Sequence, residues 1–112
     1  MWVSLGKITV PAAGTPIRAT ANETTPEQRF AGHAVLFQAW PTNAGKIWVM
    51  ARQTANKTTG AGVLAILAIP TANSIPSASA SVTFAPVGFN VNEIWIDADT
   101  NGDGCLISVL LA

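Results

Sequence analysis

Apolar residues along this chain fall into about eight short bursts, each near the length of a sandwich strand and each closed by Gly, Pro, Asn or Thr. The bursts predict strands over Ser4–Val10, Thr15–Thr20, Ala34–Trp40, Lys46–Arg52, Val63–Ile69, Ser79–Phe84, Glu93–Ala98 and Cys105–Leu111. The stretches between them, "PAAG", "PTNAG", "TANKTTGAG" and "PTANSIP", carry turn chemistry and read as loops. In "TTPEQRF", Thr24 to Phe30, Thr25 stands as an N-cap before Pro26 and Glu27, so a loop or a brief helix is expected. "SIPSASASV" is biased towards small residues and suits an edge strand. The chain therefore reads as all-β: a single-domain antiparallel β-sandwich, jelly-roll-like, over residues 1–112.

Alternation within the bursts assigns faces. In "KIWVMAR" a period of two sends Ile47, Val49 and Ala51 one way and Trp48, Met50 and Arg52 the other. In "EIWIDA", Ile94 and Ile96 point inward, opposed by Glu93, Trp95 and Asp97. "CLISVLL" is apolar on both faces apart from Ser108. A strand apolar on both faces is either central in a stack or pressed against another chain, and 112 residues leave few strands for a third layer. A subunit interface is expected, with the outward Trp48, Met50 and Trp95, and after them Trp2 and Trp40, as anchors in a partner's pocket. The same four tryptophans could instead form a carbohydrate platform.

Composition sharpens this picture. Charged residues make up 11% of the chain, under half the usual share of about 25%, while 49% are apolar and the mean hydropathy is +0.36. Something other than water is expected to cover part of the surface. Six basic and six acidic residues cancel, so there is no electrostatic footprint for nucleic acid and no polybasic membrane anchor. The longest apolar run, "GVLAILAI", falls far short of the ~20 residues of a membrane helix. "MWVSLGKITV" lacks the features of a secretory leader, which implies synthesis in the cytoplasm.

One stretch looks like metal chemistry. "IDADTNGDGC" places Asp97, Asp99, Asn101 and Gly102 where a calcium loop of the EF-hand kind has its first ligands and its glycine, but Ser108 stands where the closing bidentate Glu belongs. The flanks, "NEIWI" and "CLISVLLA", read as strands and not as helices. Two readings stand: a solvated hairpin turn built on Asn-Gly and Asp-Gly, or a weak, exposed divalent-ion site, calcium foremost, made by Asp97, Asp99, Asn101 and Asp103.

No catalytic constellation emerges. His33 is the sole histidine and has no Cys or carboxylate at a spacing that a strand would bring beside it. One His and one Cys cannot make a zinc site. Cys105 sits in an apolar strand and reads as a small buried filler. The chain is expected to be neither an enzyme nor a cofactor protein.

Three patches carry a likeness. "PTNAGKIWVM" resembles an Asn-Thr-Gly-x-Ile-Tyr-Val-Gly segment: Asn43, Gly45, Ile47 and Val49 match, Trp48 replaces the Tyr, and Ala44 and Met50 depart from it. "AAGTPIRAT" resembles an opening Ala-Gly-Thr-Pro-Val strand, and "NEIWIDADTNGDGCLISVLLA" a closing hairpin with an apolar last strand. In this order they resemble small structural proteins of tailed bacteriophages, of the head decoration or cement type. The resemblance implies a β-sandwich or jelly-roll subunit of the virion, lying on the capsid surface. It would bind the major capsid protein and copies of itself, as a dimer or trimer, through buried area and not through a reactive group. A tail, neck or fibre component uses the same physics and is the second reading; a free carbohydrate- or calcium-binding module is the third.

Overall fold

A computed structural model of the chain describes residues 2–22, 31–70, 79–83 and 89–111, with backbone alone at 31–33, 79–83, 89–90 and 111. The strands are β1 (Trp2–Thr9), β2 (Ile17–Arg18), β3 (Ala31–Ala39), β4 (Ile47–Met50), β5 (Val63–Leu67), β6 (Ser79–Thr83), β7 (Phe89–Asn90), β8 (Trp95–Ala98) and β9 (Gly104–Leu111). Each expected strand is present, several of them shorter at their ends. Ala51 and Arg52 bend out of β4, and a 3-10 turn at Val91–Glu93 takes Glu93 out of β8. The two-residue β7 has too little pattern to be read from sequence. The segment Thr24–Phe30, Phe84 and most of "PTANSIP" lie outside the described residues.

The ladders are antiparallel and form two sheets, one ordered β1-β9-β3-β6 with β7 also on β3, the other β2-β8-β4-β5. With β7 left aside, the remaining strands pair first with last, second with seventh, third with sixth and fourth with fifth. That is the order of one long hairpin rolled up on itself, the jelly roll. β6 ends its sheet, as its small-residue composition suits.

The inner faces follow the period of two. In the first sheet Phe37 stands opposite Ile107 and Val35 opposite Val109; in the second Val49 stands opposite Ile96. All six are 0% exposed and belong to one core cluster with Ile8, Val10, Ile47, Leu67 and Val91. Each such side chain contributes roughly 1.5–3 kcal/mol of transfer free energy. Ile94 and Ile96 point inward as the alternation requires. The buried Thr20 hydroxyl donates to Asn92 Oδ1 at 2.7 Å.

The acid-rich turn differs from the expected hairpin. β8 lies in the second sheet and β9 in the first, so residues 99–103 carry the chain across the end of the sandwich. The reason is occupancy: β8 already has β2 and β4 on its two edges, and β9 has β1 and β3, so neither has an edge left for the other. Asn-Gly and Asp-Gly reverse the chain, but they do not choose its ladder partner.

Candidate interaction surface

The arch between β8 and β9 spends its oxygens on the protein itself. Asp97 Oδ1 accepts from the backbone N–H groups of Gly14 and Ala98, and Oδ2 pairs with the Lys57 ammonium at 2.5 Å. Asp99 Oδ1 accepts from the Trp48 indole N–H at 2.8 Å, and Asn101 Oδ1 from Ala13 N–H at 2.7 Å. Asp103, 7% exposed, accepts from Ala44 and Gly45 N–H. The four candidate calcium ligands thus each aim at a different set of partners. Among the described residues, no three acidic, His or Cys side chains converge on one point. The charges instead anchor the loops of residues 11–16, 41–46 and 51–62, where each charge-assisted bond contributes about 1.5–3 kcal/mol.

Those anchored loops change the reading of the second sheet's outer face. Asp97 points outward in the strand alternation yet is 1% exposed, and Met50, expected as an outward anchor, is also 1% exposed. Met50 lies at a cavity of about 470 Å³ that is also lined by Pro16, Gln53, Thr54 and Lys57. The chain's own loops supply the cover that the pattern had assigned to another subunit, so Met50 is withdrawn as a contact residue. Alternation reports that a face is covered, and it does not report by what.

Three of the tryptophans also have internal partners. Lys7 Nζ lies 4.8 Å from the Trp40 ring centroid, Arg18 Cζ 4.9 Å from that of Trp95, and Lys57 Nζ 5.2 Å from that of Trp48. These rings are half-buried, each with one face under a cation. Trp2, at 55%, is the most exposed of the four.

Among the described residues, the large apolar side chains most exposed to solvent are Trp2, Leu64 at 41%, Ile66 at 52% and Ile69 at 51%. Leu64 and Ile66 are on β5, the end strand of the second sheet, and Ile66 stands opposite Trp48 across the β4–β5 ladder. The ladder steps from Val49–Ala65 to Met50–Val63, leaving Leu64 as the extra residue of a bulge. Sequence reasoning passed over Leu64, Ile66 and Ile69 because "GVLAILAI" is apolar at every position and has no alternation to read. A signal was present all the same: no charged residue or histidine occurs between Lys57 and Glu93.

Cys105 is 0% exposed and unpaired. Burial pushes its thiol up to about 12, against a smaller opposite effect from a backbone hydrogen bond with Gln38. His33 falls on β3, with its side chain outside the described residues. No protein-family model matches the chain, and no curated protein matches it either.

Proposed function

We propose that the chain is a virion structural protein, a decoration or cement subunit that binds the outside of a phage head and stabilises contacts between major capsid subunits. The observation that carries this reading is the exposed apolar set Trp2, Leu64, Ile66 and Ile69 on a jelly roll whose loops are held by internal hydrogen bonds. A preorganised framework with apolar side chains in solvent suits binding by buried area, because little conformational freedom remains to be lost on docking. The jelly roll serves viral capsid proteins, lectins and cupins alike, so the fold by itself does not choose among them. The likeness of "AAGTPIRAT", "PTNAGKIWVM" and "NEIWIDADTNGDGCLISVLLA" to phage structural proteins supports the capsid.

The test is the copy number of the chain in purified virions, by quantitative mass spectrometry against the major capsid protein. Hundreds of copies at a fixed ratio are expected, since a decoration lattice follows the capsid's symmetry. About a dozen or fewer would move the chain to the neck, tail or fibre, where rings are of low order. Absence from particles would overturn the virion reading and favour a free binding module.

A further inference from the structure

We propose that the cavity on the outer face of the second sheet binds a neutral saccharide. The inference concerns the isolated chain and rests neither on the virion reading nor on a platform of tryptophans. At about 470 Å³ the cavity falls within the range of about 300–1,000 Å³ typical of small-molecule sites. Met50 on β4 and Asp97 on the neighbouring β8 reach it from the sheet, and the loops of residues 11–16 and 51–62 wall it. Both loops are braced from within. Gly14 N–H donates to Asp97 Oδ1 at 3.0 Å, Ala51 N–H donates to the Gly62 carbonyl at 2.8 Å, and Thr58 and Thr59 N–H donate to Asn56 Oδ1. The cavity is therefore shaped before any ligand arrives, which spares the ordering cost of binding.

Its lining selects the chemistry. The Asp97 carboxylate, with its side chain 2% exposed, already has its charge answered by the Lys57 ammonium. An anion would meet Asp97, a cation would have to displace Lys57, and a wholly apolar molecule would strip water from the pair without return. A neutral molecule rich in hydroxyls escapes all three penalties. It finds the ammonium of Lys57, a side chain 33% exposed and steadied between Asp97 and the Trp48 ring, with protons left to donate. It also finds the Thr15 and Thr54 hydroxyls and the Gln53 amide, which both donate and accept. Among the described residues none of these three side chains has a protein partner for its polar group. Pro16, Met50 and Ala55 add apolar surface. A pyranose ring has the same division, with rim hydroxyls that each donate and accept and C–H groups on its faces, whereas an amide ligand carries donors and acceptors fixed in place.

The experiment is amide NMR on the full chain at neutral pH with glucose, galactose and mannose, each beside its amino and its uronic acid form. The titrations run to ~50 mM, well above a millimolar dissociation constant. At least one neutral sugar is expected to shift the signals of Gly14, Thr15, Thr54 and Ala55 together, saturating in the millimolar range, and to leave those of β1 in place. The amino and uronic acid forms of that sugar should bind at least tenfold more weakly. The double variant Gln53→Ala, Thr54→Ala, altered at two exposed loop positions, should keep the wild-type melting temperature and lose at least tenfold in affinity. Thr15→Ala, on the other loop, replaces it if the double variant melts early. Three neutral sugars that shift nothing overturn the inference, as does binding that ignores the charge of the sugar, survives these substitutions or moves signals only elsewhere.

Discussion

Asn43 and Gly104 exchange two hydrogen bonds: the Asn43 side-chain amide donates to the Gly104 carbonyl at 2.7 Å, and Gly104 N–H donates to Asn43 Oδ1 at 2.9 Å. A side chain of the β3–β4 loop thereby occupies backbone groups where β9 begins. Asn43→Ala removes both bonds. The Gly104 carbonyl keeps Trp40 N–H as a donor, but Gly104 N–H loses the acceptor that Asn43 supplies. The expected loss is about 1–3 kcal/mol in urea unfolding with an unchanged slope.

Gly45 is required for contact distance and not for a left-handed backbone. A methyl group added there would meet Thr100 Oγ1 at 2.7 Å and Asp99 Cβ at 3.0 Å. Thr100 can rotate away, while Asp99 is tethered to the Trp48 indole. Gly45→Ala should cost about 1–3 kcal/mol through overpacking. It should also change the Trp48 contribution to fluorescence as the arch shifts; an unaltered spectrum and stability would mean that the arch yields freely.

Calcium should find no ready site at the arch. At a concentration 100-fold above its dissociation constant a ligand specific for the folded state adds about 2.7 kcal/mol, a shift of many degrees in a domain of this size. Millimolar calcium is expected to move the melting temperature no more than equal magnesium does. A calcium-specific rise, abolished by Asp97→Asn, would show that the oxygens let go of their present partners to take an ion.

Cys105 sets a stability limit on the alkaline side. Burial pushes the folded thiol up to about 12 from its ordinary value of 9.0, which the unfolded chain keeps. Between those values the unfolded chain binds fewer protons than the folded one, so stability is full below pH 9 and falls as pH rises towards 12. Cys105→Ala should remove this contribution to the slope, at the cost of a small cavity. At neutral pH the native thiol should resist iodoacetamide until the chain unfolds, and fast labelling of native protein would contradict the burial.

How much of this was legible in the sequence depends on what each residue's neighbours are. Turn residues and period-two bursts located the strands because both signals are local, and they gave the sandwich class. The assignment of β8 and β9 to different sheets was hidden, since Asn101 to Gly104 specify a reversal whatever the partner. Met50 misled for a related reason: an apolar residue on an outer face looks alike under a loop of its own chain and under another subunit. Apart from the adjacent Ala98 N–H, the polar partners of Asp97 and Asp103 come from residues 40 to 83 positions away in sequence, beyond any spacing rule.

The rolled-up order also dictates when the molecule can exist. β9 sits between β1 and β3, so the first sheet lacks its middle until the residues Gly104–Leu111 have left the ribosome. Until then β1 has no neighbour, and β5, charge-free and apolar, waits beside other nascent chains. Pairing of such distant strands is slow, on the order of milliseconds to seconds. The charged side chains gathered at the arch emerge at nearly the same moment as β9, which ties the closing of the loops to the completion of the first sheet in a single late event.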